Sequence, residues 1–264
     1  MERVSIKPML SALPLAAAAL ALPLPAADHQ CLPCHPGQVE GFRRTGMGRS
    51  IGRPGALPAG RFGHATSGAR FEARIESGEL HHRASWKGLA ADYAIDYAIG
   101  SGKVGHSFLY LRRGVLFQSP VAYYSRRKQW GPSPGYDSDR VPDFQRVITA
   151  ECLFCHAAQP APVEALAPIG CERCHGDTTA HLAQPSAANI VNPARLPAAA
   201  RNSVCEQCHL GGEARIPNPG KRFNDFRPGQ ALESVFTAYV DAGGFAGVKK
   251  VTGYAEELAV SRCA

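Results

Sequence analysis

Residues 152–175 read CLFCHAAQPAPVEALAPIGCERCH: two copies of Cys-x-x-Cys-His joined by alanines, prolines and short apolar residues. The same pattern occurs at Cys31-Leu32-Pro33-Cys34-His35 and at Cys205-Glu206-Gln207-Cys208-His209. With Cys152-Leu153-Phe154-Cys155-His156 and Cys171-Glu172-Arg173-Cys174-His175, these four units hold eight of the nine cysteines. The two residues between the cysteines change from unit to unit. The spacing and the trailing histidine do not.

Two cysteines three apart lie on one side of a single helical turn. Their sulfurs can reach the two vinyl groups on one edge of a porphyrin, and the next residue, a histidine, can ligate the iron from beneath. A thioredoxin-like dithiol needs one such pair, not four each followed by His. Two four-cysteine zinc sites would consume all eight sulfurs and leave four histidines unexplained. The pattern therefore reads as four covalently attached haem c groups. Cys31 and Cys34, Cys152 and Cys155, Cys171 and Cys174, and Cys205 and Cys208 are the anchors, and His35, His156, His175 and His209 the proximal iron ligands. Cys171 follows Cys152 by 19 residues and Cys205 follows Cys171 by 34, so the second to fourth haems are expected side by side, at distances suited to electron hopping.

Six further histidines are candidates for the sixth iron position: His29, His64, His81, His82, His106 and His181, with Met47 beside them. His181 follows the third unit in CHGDTTAHL. His64, in RFGHATSG, and His106, in GKVGHSFLY, stand among glycines, where backbone can approach a porphyrin closely. His81 and His82 are neighbours on a strand-like stretch, so at most one faces a given haem.

Arg3 and Lys7 precede the apolar run LSALPLAAAALALPLPAA, which ends in small residues before Asp28. That is the layout of a secretory signal peptide over 1–27. Residues 28–150 are expected to carry the first haem site and a small β region, and 151–264 three haem sites. The fold expected is mainly short α-helices and loops organised around haems, with a small antiparallel β region near 61–124. RFEARIESGELHHRASW and SFLYLRRGVLFQSPV alternate like strands, the latter turning at Arg113-Gly114. The 27 glycines and 21 prolines of 264 residues exceed the average share of about 12 % and fit a loop-rich chain.

GSGKVG at 100–105 satisfies G-x-G-x-x-G, but a hairpin rather than a helix follows it, and no acidic residue stands about 20 residues on. No dinucleotide is expected. The formal net charge of +7 does not argue for nucleic acid. Two of the basic residues leave with the leader, and four haems bring about eight propionates with carboxyl-like pKa values. Arg43, Arg44 and Arg173 are candidates either to pair with those propionates or to form solvated surface.

With these residues in hand, the chain resembles the multihaem c-type cytochromes of the cytochrome c-554/c-552 type, in the bacterial branch that carries tetratricopeptide repeats. CLPCHPGQVEGFRRTGMGRS, IGSG with its later histidine, SPGY, IGCERCHGD, IVNPARL and FRPGQAL carry the resemblance in that order. It implies periplasmic electron transfer between redox partner proteins, with membrane association only through partners. It also implies distal iron ligation by His64, His106 and His181, which leaves one iron without a named sixth ligand. In that family the Ser261-Arg262-Cys263 stretch is followed by another attachment unit and helical repeats, so the sequence is expected to be C-terminally truncated. Three functions remain in play: an electron carrier, an oxidoreductase acting on a small nitrogen or sulfur compound at one open iron, and an assembly subunit. Coordination separates the first two, because only an enzyme needs an open iron.

Overall fold

A computed structural model describes residues 30–140, 143–158, 162–239 and 254–259. The leader, His29 and the Ser261-Arg262-Cys263 stretch lie outside the described residues. Ten strands precede the second attachment unit: β1 (Ile51–Gly52), β2 (Gly60–Gly63), β3 (Arg70–Glu76), β4 (Glu79–Trp86), β5 (Leu89–Ala94), β6 (Tyr97–Ile99), β7 (His106–Arg112), β8 (Val115–Tyr124), β9 (Gln129–Pro132) and β10 (Arg146–Val147). β2-β3-β4-β5 form a four-stranded antiparallel meander. A second, six-stranded sheet runs β1-β6-β7-β8-β10, with β9 also paired to β8.

The strands follow from alternation and turn chemistry. On β3 and β4, Phe71, Ala73, Leu80 and His82 are buried while Arg70 and Glu79 are exposed, the period of two that a half-buried strand requires. Hairpins turn at Ser77-Gly78, Lys87-Gly88 and Arg113-Gly114, where both central residues have positive φ. That is the conformation whose twist suits a two-residue hairpin loop. β7 and β8 thus form the hairpin that the sequence indicates. Their register shifts between Ser107 and Leu109, and fully buried Pro120, which has no N–H to donate, lies within the irregular stretch.

The two sheets pack face to face. Phe71, Ala73, Leu80, Phe108, Tyr110, Val121, Tyr123 and Trp130 fill the space between them. The six-stranded sheet is covered on its other face as well: Ile51, Tyr97, Leu109 and Leu116 pack against Leu153, Ala157 and Leu166 of the segment that follows it. Burial on both faces explains why SFLYL and PVAYY read as nearly unbroken apolar runs.

The helices are short: α1 (Pro36–Arg43), α2 (Ala150–His156), α3 (Glu172–His175), α4 (Thr179–Ala183), α5 (Ala198–His209) and α6 (Tyr254–Ala259). The expected boundary at 150 falls at the start of α2. Two hydrogen bonds cross it, from the Leu166 N–H to the Tyr97 hydroxyl and from the Ile169 N–H to Ser50 Oγ. Beyond α5, β11 (Ala214–Pro217) and β12 (Phe236–Tyr239) form a two-stranded sheet over a cluster of Phe154, Phe223, Phe226, Leu232, Val235 and Phe236.

The fold class expected from the sequence is corrected by this architecture. The described residues form twelve strands in three antiparallel sheets, with six short helices, so the chain is mainly β rather than helices and loops around haems. The attachment units draw attention to helical turns, but the helices that carry them are 4 to 12 residues long. The β region is not small, because it runs from Ile51 to Val147 and closes on itself as a two-layer sandwich. The segment after residue 150 also has an aromatic core of its own.

Candidate haem-attachment sites

Each unit lies on a helical turn. The His35 N–H donates to the Cys31 carbonyl and the His175 N–H to the Cys171 carbonyl, both at 2.9 Å. The second and fourth units fall within α2 and α5. In the second to fourth units the histidine is the last helical residue, and in the first it precedes Pro36 and caps α1. None of the eight cysteines is fully buried. Both sulfurs of each unit thus share one side of a turn, with access from outside.

Units two, three and four are bonded into one cluster. Gln207, inside the fourth unit, donates from Nε2 to the Arg173 carbonyl of the third at 3.1 Å. Arg173 in turn donates to the Ala157 carbonyl, directly after the second unit, at 3.4 Å. Arg215 on β11 donates to Cys155 Sγ at 3.5 Å and to the Gln207 carbonyl at 2.7 Å. The Cys155 and Cys208 thiols are themselves hydrogen-bonded. The bond from Cys208 and the neighbouring Arg215 draw the Cys155 thiol down to about 6, while the Cys208 thiol is pushed up. Burial, and then His209, lower the pKa of His156. Sequence separation is lost here: residues from 155 to 215 meet around Phe154, which is 1 % exposed.

The histidines are held in two ways. His175 Nδ1 donates to the Val191 carbonyl at 2.7 Å, and His181 Nδ1 bonds the Ser186 carbonyl at 3.0 Å, with Asn189 Oδ1 at 3.3 Å. Holding Nδ1 on a carbonyl leaves Nε2 of His175 to ligate, as in a metal-bound imidazole, while His181 Nδ1 is also approached by the Ser186 N–H at 3.4 Å. His181, on α4, lies against His35 with ring centroids 6.3 Å apart and planes 20° from parallel. Two imidazoles bound trans to one metal at about 2.0 Å per bond have centroids roughly 6 Å apart. The centroid separation of the His35–His181 pair matches that figure.

The other two distal candidates stand in the β region. His64 is 4 % exposed with both ring nitrogens engaged, Nδ1 by Ser67 Oγ at 2.8 Å and Nε2 by the Asp137 carbonyl at 3.2 Å. His106 opens β7 with its Nε2 over Gly102, where a Cβ would come within 2.6 Å of it, and burial lowers its pKa. GSGKVG itself forms the connection between antiparallel β6 and β7. Of the remaining candidates, His82 is wholly buried between the sheets, His81 pairs with Asp92 at 3.2 Å on the surface, and Met47 is 42 % exposed.

Among the described residues, no group of three or more His, Cys, Asp or Glu side chains converges as a site for a bare metal ion. Haem asks for less, because the porphyrin supplies four of the iron's ligands and the chain adds one or two. The sequence reading passed over Phe154, Gln207 and Arg215, which tie the cluster together. Phe154 and Gln207 are variable positions inside the units, and Arg215 carries no motif. Among the described residues, no helix is long and apolar enough to cross a membrane.

No protein-family model matches the chain, and no curated protein matches it in sequence. Among solved structures it is similar to the crystal structure of the outer cell wall cytochrome OcwA, at 18 % identity and a TM-score of 0.49. The match covers 80 % of this chain and 44 % of that one, so the chain spans less than half of that structure's length.

Proposed function

We infer that the protein is an exported multihaem c-type cytochrome that carries electrons between redox partner proteins. The observation that supports this most directly is the approach of His35 to His181, residues 146 positions apart, as near-parallel rings 6.3 Å apart. An iron held between them would account for that spacing. Bound at these sites, haem supplies a one-electron couple at its iron.

The rest is done by the chain. Cys31 and Cys34, Cys152 and Cys155, Cys171 and Cys174, and Cys205 and Cys208 hold the macrocycles covalently. His35, His156, His175 and His209 ligate from the proximal side. The Val191 carbonyl orients His175, while the Ser186 carbonyl and Asn189 orient His181 as the distal ligand of the first haem. Gln207, Arg173 and Arg215 keep the second to fourth units within one cluster, which short electron hops require. The protein belongs in the periplasm, after removal of residues 1–27, with 28–150 and 151–264 as its two segments.

A second reading is favoured by His64, whose two ring nitrogens are both hydrogen-bonded. If His64 keeps those bonds it fills no sixth position, and an open iron could act on a small nitrogen or sulfur compound. Low-temperature EPR of the oxidised protein, matured in a periplasm with haem-attachment machinery, decides between the two. Low-spin signals alone, with a pyridine haemochrome count of four, are expected for the carrier. A high-spin signal integrating to one haem establishes the open iron, and the absence of covalent haem overturns both.

A further inference from the structure

At the centre of the cluster of attachment units two guanidinium groups stack on one ring. Arg173 lies over Phe154 with its guanidinium carbon 4.5 Å from the ring centroid, and Arg215 lies over the same ring at 5.9 Å. Arg215 is also set against Phe236 at 4.5 Å and Phe223 at 4.8 Å, so three phenylalanines surround its cation. Burial lowers the pKa of Arg173 from an arginine's usual value, but far too little to discharge it at neutral pH.

What these cations lack is a counter-charge. Among the described residues neither pairs with a carboxylate; their donors go to the Ala157 and Gln207 carbonyls and to Cys155 Sγ. Arg215 Nε is buried without an acceptor. In the free chain, Cys155, Cys174 and Cys208 are the groups whose negative form would favour charged Arg173. Attachment of haem turns those sulfurs into neutral thioethers, and that option is gone. Two permanent positive charges then lie half-buried against an aromatic cluster, in contact with residues of three attachment units.

Resting on the haem reading above, we propose that Arg173 and Arg215 raise the reduction potentials of the haems attached at the second, third and fourth units above that of the first. Adding an electron to a haem iron lowers its charge by one, and a fixed cation nearby stabilises the reduced state over the oxidised one. The effect is strong where the surroundings screen poorly. Phe154, Phe223 and Phe236 provide such surroundings. Among the described residues, no pair of arginines stacks on one aromatic ring at the first unit, held by His35 and His181. Electrons delivered to the protein therefore settle on the cluster.

Spectroelectrochemical titration of the full haem-loaded chain tests this. Arg215→Gln is expected to move at least one of the higher-potential waves downward by about tenfold in the oxidised-to-reduced ratio, about 59 mV for one electron. Arg173→Gln is expected to do the same. The wave of the first haem, identified as the one altered by His181→Ala, stays in place. Arg215→Lys keeps the charge while losing the planar stack, and is expected to restore most of the potential. Unchanged potentials in Arg215→Gln, or an equal fall in Arg215→Lys, overturn the proposal. If Arg215→Gln fails to mature, Arg173→Gln decides by the same criterion. A wild-type haemochrome count of four with unshifted variants removes this inference alone, whereas wild-type protein without covalent haem removes the haem reading with it.

Discussion

His82 offers a quantitative test of the sandwich. It lies on β4 at 0 % exposure, with Nδ1 bonded to Ser119 Oγ at 2.8 Å and Nε2 without a partner. Its ring is edge-on to Phe108 and Trp130, at 4.9 and 5.5 Å. Burial depresses its pKa from 6.5 to about 3, with a smaller push from His81. The native state thus holds His82 neutral where the unfolded chain protonates it. Its contribution is present in full above pH 6.5 and is lost as pH falls from 6.5 towards 3. Each pKa unit is worth about 1.4 kcal/mol, so the full loss is about 5 kcal/mol, and the fall from pH 6.5 to 5 costs about 2 kcal/mol. The assay is urea unfolding followed by far-ultraviolet circular dichroism at pH 7 and pH 5, on the parent and on His82→Leu. The variant starts less stable at pH 7, having lost the Ser119 bond and some packing. Its stability should then fall between the two pH values by about 2 kcal/mol less than the parent's. Parallel pH profiles would refute the claim that His82 is neutral in the folded protein.

Three further outcomes follow from particular contacts. His181→Ala should convert one low-spin haem to high-spin, read by EPR, and added imidazole should reverse the change; an unaltered spectrum removes His181 from iron ligation. Gly60→Ala should destabilise by about 1–3 kcal/mol through overpacking, because a Cβ there would stand 2.3 Å from Trp130 Cδ1; a thermal midpoint equal to the parent's contradicts it. Phe154→Ala should cost about 3–5 kcal/mol and disturb several haems at once, since Phe154 is packed between Arg173 and Arg215; a change confined to one haem in the reduced absorption spectrum would speak against a shared centre.

How far the sequence could be read depended on the kind of signal. The attachment units were legible because chemistry imposes an invariant spacing, and so was the β7–β8 hairpin, because Arg113-Gly114 interrupts two apolar runs. The extent of the β structure was not. β1, β6 and β10 are two or three residues long, too short to show a period, and they become strands only by pairing with longer neighbours. His64 and His106 have glycine-rich surroundings that suit a ligand and suit a turn equally well, and only hydrogen-bond partners reveal where their nitrogens point. His181 was legible as a candidate, but its partner was not, since the approach to His35 depends on how α4 leaves the third unit. Arg215 left no trace, because a cation caged by Phe154, Phe223 and Phe236 is assembled from positions far apart in the chain.

Leu153 and Phe154 occupy the two free positions of the second unit, and they face different cores. Leu153 enters the layer beneath the six-stranded sheet, and Phe154 enters the aromatic cluster beside units three and four. One helical turn therefore rivets the two halves of the molecule. A hinge cannot form at that joint, because any rocking of the sandwich would pull Leu153 and drag Cys152 and Cys155 with it. A haem held at the second unit would thus keep its place relative to the six-stranded sheet, while hydrogen bonds of Gln207, Arg173 and Arg215 tie units three and four to it. Rates of internal electron exchange should accordingly be insensitive to solvent viscosity, and would change abruptly only when the sandwich itself unfolds.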